Sequence, residues 1–230
     1  MFDYFVLGYY MAKEGVATGE LGALFKRQVS WNRLVTPVEM DLTIPLTDGN
    51  LPANSEFQFV ELEPDDIRSG KWVFSIRSRG IKALRNIKRE MRGFALVQGN
   101  TIVGDVWCVI PQPGKPADHP DLRMLGLTCQ ENEAYAFDML IDPTYRGKNL
   151  AVPLQRAIQR ALKNEGFVKV YGAFYDDNLP ALWMHRMLKF KELPKRLTSR
   201  FFIFSSARTA TQAEIEAKQK AIKRAAQVKK

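Results

Sequence analysis

A chain of 230 residues with 46% hydrophobic and 11% aromatic residues has enough apolar material for one packed core, which excludes disorder over most of its length. Its formal charge of +9 favours anionic partners (a nucleotide cofactor, an acidic substrate or carrier protein, nucleic acid or a membrane surface) without choosing among them. The only cysteines, Cys108 and Cys129, form no CxxC pair and no Cys/His cluster, so neither a disulfide scaffold nor a structural zinc site is suggested and a reducing cytoplasm is expected.

The start, Met1 to Met11, is apolar and aromatic, but it carries Asp3 and lacks a basic leader and an A-x-A-type cleavage site, so it reads as mature protein. No apolar run approaches the ~20 residues of a membrane span. Residues 1–55 are expected to form an irregular extension packed on the main domain, with a short helix over 20–29. The main domain, 56–206, opens with the alternating strand F-Q-F-V-E-L over 57–62 and a helix start at Pro64-Asp65-Asp66. Ile81, Leu84, Ile87 and Met91 then mark one face of an amphipathic helix whose other faces carry Arg79, Lys82, Arg85, Lys88 and Arg89, expected to be solvated.

Apolar, β-branched runs at 94–97 and 101–109 flank Gln98-Gly99-Asn100 and predict an antiparallel hairpin. The Pro-, Gly- and Asp-rich stretch 110–133 is too long for a tight turn and is expected to be a functional or disordered loop, with His119 solvated in it. Residues 134–141 read as a central strand. Leu150, Leu154, Ala157, Ile158, Ala161 and Leu162 form one face of a helix closed by Asn164-Glu165-Gly166, and 168–174 is the next strand. This strand-helix-strand order implies a right-handed crossover and parallel pairing. A helix from Asn178-Leu179-Pro180 to about Leu188 and a last strand over 199–205 follow. Residues 207–230 are expected to be a basic helix or tail, with seven Lys or Arg against two Glu from Arg208 onward. That segment has no aromatic residue from Thr209 to Lys230, so base stacking, and with it nucleic-acid binding, is unsupported.

The stretch from Ile141-Asp142-Pro143 through Thr144-Tyr145 to Arg146-Gly147-Lys148-Asn149-Leu150-Ala151 leaves a strand, turns, and enters an apolar-periodic helix. Such a turn aims free N–H groups and the positive end of a helix dipole at one point, which suits a pyrophosphate, and Arg146 and Lys148 can add charge. An ordinary strand-to-helix turn with solvated basic residues fits these residues equally well.

The same stretch resembles the GNAT acyltransferases, whose loop is Arg or Gln, two residues, Gly, one residue, Gly or Ala. Arg146 and Ala151 match, and Asn149 stands where the family has Gly, a residue type that tolerates left-handed geometry. Ile141-Asp142-Pro143 resembles the family's V-x-P element and 150–166 its cofactor-binding helix; Asn178, Ala181 and Phe190 fit its later spacing, with Lys189 in place of a Gly. The resemblance covers about 57–205. It implies an α/β fold: a mixed, largely antiparallel sheet with a splayed parallel central pair and helices on both faces.

It also implies an acyl-CoA donor, most simply acetyl-CoA, and an amine acceptor, with no metal. Met139, Leu140 and Ile141 would lie beside the pantetheine, and the 146–151 loop and Asn178 would complete the donor site. His185, seven residues after Asn178, occupies the place of a Tyr that protonates the departing thiolate in many members, and an imidazole can do this near neutral pH. It can equally be a packed helix histidine. Asp138, inside an apolar strand, needs a partner or a polar cleft and is a candidate base, as is Glu133 at the strand entrance. The basic helix would flank the acceptor cleft. Other readings are a non-catalytic acyl-CoA-binding module and a transferase whose donor is an acyl carrier protein docked on the basic helix.

Overall fold

The computed structural model describes residues 10, 13, 16, 30–46, 49, 51, 55–201 and 204–228. The helix expected over 20–29 lies outside them. In chain order the described elements are β1 (Ser30–Asp41), β2 (Phe57–Glu61), α1 (Pro64–Arg68), β3 (Val73–Phe74), α2 (Arg77–Lys88), β4 (Arg92–Gln98), β5 (Thr101–Val109), α3 (Pro120–Leu125), β6 (Glu133–Ile141), α4 (Ala151–Asn164), β7 (Lys169–Tyr175), α5 (Leu179–Met187), β8 (Lys191–Glu192), β9 (Arg196–Phe201), β10 (Phe204–Thr209) and α6 (Gln212–Val228).

The strands form one sheet in the order β10-β9-β1-β7-β6-β5-β4-β2, with β3 beside β5 and β8 beside β1. Among the described residues, only β6 with β7 and β3 with β5 run parallel. The expected hairpin is present: β4 and β5 pair antiparallel around Gly99-Asn100, and Gly99 has φ 58°.

Alternation along the strands sorts the core onto two faces. Ala134 and Ala136 of β6 and Phe94 and Leu96 of β4 point to the face covered by α4 and α5. Tyr135 joins Leu122 and Leu125 of α3 on the other face, where Ala95 and Val97 meet Ala83 of α2. Helix α4 is held by Leu154, Ile158 and Leu162, all at 0% exposure, each contributing about 1.5–3 kcal/mol by burial.

Four expectations are corrected. Residues 30–41 are not irregular: β1 lies inside the sheet, between β9 and β7. Pro37 and the charged residues of that strand hid its alternation. The stretch 110–133 holds α3, started by His119 as N-cap and ended by Gly126 at φ 68°, with Leu122, Leu125 and Cys129 buried. The last strand is a hairpin, β9 with β10, whose outer parts are too polar to read as strand. On α2 the most buried side is Ser78, Arg79, Ala83 and Asn86, so Arg79 is not solvated.

The C-terminal segment is the helix α6, opened by a capping box in which Thr211 N–H donates to Glu214 and Glu214 N–H to Thr211 Oγ1. No helix among the described residues is long and apolar enough to cross a membrane.

Candidate functional site

Parallel pairing of β6 with β7 lasts three residues, Glu133 to Tyr135 against Lys169 to Tyr171, and then the strands part. On its other side β6 stays paired with β5, but between Trp107↔Phe137 and Asp105↔Leu140 it has one residue more than its neighbour. That bulge holds Asp138 at φ 53°. Aspartate, like asparagine, tolerates that region better than most residues, but a left-handed residue inside a strand still needs surroundings that hold it.

Those surroundings are cationic. Arg79 Nη1 donates to Asp138 Oδ2 at 2.7 Å, Arg79 Nη2 donates to the Asp138 carbonyl, and Lys82 Nζ lies 2.5 Å from the same carboxylate. Burial pushes the Asp138 pKa up, but Arg79 and Lys82 outweigh it and hold the carboxyl below its ordinary value.

Where the strands part, a cleft of about 690 Å³ opens, walled by residues 136–141 of β6 and 172–175 of β7. One end is the turn into α4. Asp142 Oδ1 accepts from Thr144 N–H at 2.9 Å and from its hydroxyl at 2.5 Å, which fixes the chain as it leaves β6. Gly147 then adopts φ 86° and Asn149 φ 56°. Asn149 thus takes the left-handed conformation that its residue type tolerates. Leu150 is the N-cap of α4 and has no side-chain cap bond. Among the described residues, the N–H groups of Gly147, Asn149, Leu150, Ala151 and Val152 find no acceptor in the protein. A Cβ on Gly147 would meet nothing within 4 Å. The turn is therefore an open, donor-lined mouth.

Of the residues expected at a donor site, Met139, Leu140, Ile141, Arg146, Gly147, Asn149, Leu150, Ala151 and Asn178 all line this cleft. Asn178 also caps α5, its Oδ1 accepting from Ala181 N–H at 3.3 Å. Lys148 does not line the cleft. Its ammonium lies 3.7 Å from Glu56 and 5.1 Å from the Tyr145 ring centre.

His185 does line the cleft, in the same wall as Ala181 and Met184. Its Nδ1 is 2.7 Å from the Ala181 carbonyl, so Nδ1 carries the proton and Nε2 of the neutral ring is an acceptor. Nε2 sits beside Gly172, 3.8 Å from where a Cβ on that residue would stand. The ring stacks on Phe174 and meets Phe190 edge-on. Burial lowers its pKa below the ordinary 6.5, against the opposing bond to Ala181.

Glu133, the other expected base, is not in the cleft wall. It accepts from Gln130 N–H at 2.9 Å, lies 3.1 Å from Lys169 Nζ and accepts from the Tyr171 hydroxyl at 3.3 Å. His119 is held rather than solvated. Its Nδ1 accepts from Asp121 N–H and its ring lies 4.3 Å from that of Phe137, which lines the cleft.

Sequence reasoning missed Arg79, Tyr145, Gln155 and Tyr175 as parts or neighbours of this site. For Arg79 a signal existed: Asp105 and Asp138 each sit inside an apolar strand, and two buried carboxylates require a buried cation. The other three sit at positions with no spacing that marks them.

Residues 58–190 match the model of the acetyltransferase (GNAT) family. No curated protein matches the chain. Among solved structures it is similar to a tandem GNAT protein from the clavulanic acid biosynthesis pathway, at 15% identity and TM-score 0.52, over 83% of this chain and 59% of that one. It is similar to a GCN5-related glucosamine N-acetyltransferase region in a fungal multi-domain GH3 β-N-acetylglucosaminidase, at 13% identity and TM-score 0.52, over 80% of this chain and 23% of that one. A GCN5-related N-acetyltransferase from Sphaerobacter thermophilus is also similar, at 11% identity and TM-score 0.49, over 79% of this chain and 55% of that one. The chain thus spans less than two thirds of each of these proteins, and at such identities the likeness concerns the fold.

Proposed function

The chain belongs to the acetyltransferase (GNAT) family, and on that premise we propose that it is an N-acyltransferase moving an acyl group, most simply acetyl, from CoA to an amine. The observation that carries this is the parting of β6 from β7 over a cleft that ends on the unpartnered N–H groups of residues 147–152. Those donors and the positive end of α4 suit a pyrophosphate, and Gly147 leaves the approach clear. Met139, Leu140, Ile141, Phe174 and Met184 offer apolar contact to a pantetheine arm.

In the reaction the amine nitrogen bonds to the thioester carbon and the carbon–sulfur bond breaks, while one proton leaves nitrogen and one reaches sulfur. His185 is suited to carry that proton. It presents a bare Nε2 in the cleft wall, so it can first accept from the amine and then, as imidazolium, donate to the thiolate. This reverses the order suggested by the Tyr it replaces, which only donates. Asp138 suits the base role less well, because two cations hold its carboxylate and weaken it as a proton acceptor.

The test is a thermal-stability series with CoA, acetyl-CoA and longer acyl-CoAs, followed by release of free CoA thiol from acetyl-CoA with polyamines, amino sugars and peptides as acceptors. A ligand bound to the native state raises the apparent melting temperature. Stabilisation by CoA with thiol release on one class of amine is the expected result. Stabilisation with no release on any amine indicates a non-catalytic binding module, and no stabilisation overturns the donor assignment.

A further inference from the structure

We infer that Arg79 is a positioning residue: its guanidinium locks Asp138 in the left-handed conformation that makes the β6 bulge, and so sets the backbone of residues 139–141 along the cleft. The consequence for catalysis rests on the acyltransferase reading above; the lock itself does not.

The contacts of Arg79 divide into an anchor and a hold. On the anchor side, Nε donates to both oxygens of Asp105 at 3.0 Å, and Asp105 also accepts from Trp107 Nε1 at 2.8 Å. Asp105 and Trp107 are the two β5 residues that flank the register shift, and Trp107 is fully buried against Gly93. The guanidinium is thereby fixed to the rigid side of the bulge. On the hold side, it donates to the carboxylate of Asp138 and also to its backbone carbonyl. Charge balance alone would need only the carboxylate. The bond to the carbonyl acts on the backbone of the one β6 residue with positive φ.

An arginine is needed for this because one planar fork must reach two side chains and a carbonyl at once, which an ammonium on a flexible stem does not do. Lys82 adds a second cation to the Asp138 carboxylate without touching Asp105 among the described contacts. Asp138 is then an anchored backbone position whose side chain serves as the handle.

The decisive comparison is between two substitutions that both remove the carboxylate. Both variants keep the Arg79 bond to the carbonyl and lose the one to the carboxylate. Glycine adopts positive φ without strain and alanine does not, so Asp138→Gly keeps the bulge while Asp138→Ala leaves it held by the carbonyl bond alone. Arg79 stays paired with Asp105 in each, which protects folding. Hydrogen exchange of the 138–141 amides should be faster in Asp138→Ala than in Asp138→Gly, relative to the rest of the sheet. Thiol release from acetyl-CoA should be ~10-fold faster in Asp138→Gly than in Asp138→Ala, since small misplacements of positioning groups cost this much or more.

Arg79→Lys keeps a cation on Asp105 but not the fork, and should follow Asp138→Ala, with Asp138→Gly in the same chain restoring protection. Equal exchange and equal turnover in the glycine and alanine variants would overturn the lock, and a common loss of turnover would return the role to the carboxylate. Because exchange is read without substrate, a wild-type protein that ignores CoA would sink the acyltransferase reading and leave the lock to be decided by exchange alone.

Discussion

At one end of β6, Glu133 is closed in by Lys169, Tyr171 and the Gln130 N–H, and β7 runs beside it in register. Five residues on, Asp138 is also held by cations, but there β7 has parted from the strand, the backbone is left-handed, and the carboxylate edges a cleft. Two acids in one apolar strand thus look alike by composition and by their cationic partners. What separates scaffold from site is the backbone around them: up to Tyr135 the strand is closed by β7, and beyond it β7 parts while β5 alone carries the ladder on through the bulge at Asp138. Substitutions at each end of β6, and in the turn that terminates the open end, should therefore differ in kind: loss of turnover or binding at the open end, loss of stability at the closed one.

The largest effect is expected at the open end. His185→Ala should lower turnover ~10²-fold, as for loss of a positioned acid or base, while CoA affinity is kept. The pH profile distinguishes the roles. If the neutral ring is the working form, activity falls as pH drops through its pKa, which burial places below the ordinary 6.5. Were the imidazolium the working form at rest, activity would instead fall as pH rises through that pKa. The charged group whose field reaches the ring is Glu192, tied to Arg186 at 2.8 Å; Phe174, Phe190 and Gly172 around it are uncharged. A folded His185→Ala protein with wild-type turnover, measured where chemistry limits the rate, would make the histidine structural.

Next comes the turn. Gly147 stands at φ 86° with open space where a side chain would go, so the obstacle to substitution is the backbone and the approach of a phosphate. Gly147→Val should weaken CoA binding about tenfold or more, since a β-branched residue at positive φ is strained by at least ~1–2 kcal/mol. Lys148→Ala should cost less, because the lysine already points toward Glu56. Isothermal titration of both variants decides it, and a Lys148→Ala loss exceeding that of Gly147→Val would contradict the backbone cradle.

At the closed end the effect moves to stability. Glu133→Gln should destabilise the protein by on the order of 1 kcal/mol, typical of a hydrogen-bonded charge that keeps some solvent access, with turnover tracking the folded fraction. Burial raises the Glu133 pKa, but the Gln130 N–H and Lys169 outweigh it and the net shift is downward from 4.5. Its contribution is therefore complete above the unfolded value and is lost as pH falls through the folded one. Urea titrations of both proteins at neutral pH and at pH 3 test this: the gap should shrink in acid. A gap unchanged at pH 3 would argue against the pairing.

Much of this was legible in the chain itself. The 134–141 strand, the apolar face of α4 and the 168–174 strand carry clean periods, and they alone imply the parallel pair on which the site stands. Strand β1 was not legible, because its partners β7 and β9 are more than a hundred residues away and its exposed positions do not alternate. The bulge was not legible either: an aspartate in an apolar strand announces a missing partner but not a left-handed backbone. Nor could local pattern assign Arg79 to the interior, since the cation is drawn in by two acids on distant strands.

The smallest effect is expected at Asn149, where the chain departs from the family's glycine. Its φ of 56° is the value a glycine would be chosen for, so the backbone cost of the departure is already met by a residue type that visits that region readily. What asparagine adds is a side chain at the mouth of the turn, next to the N–H groups proposed to receive the pyrophosphate. Asn149→Gly should therefore tighten CoA binding by no more than ~2–3-fold, equivalent to a few tenths of a kcal/mol. Asn149→Val, which cannot hold positive φ comfortably, should weaken it, as Gly147→Val does. A tenfold loss on Asn149→Gly would mean that the amide itself grips the ligand, and the turn would then recognise its anion through a side chain as well as through the backbone.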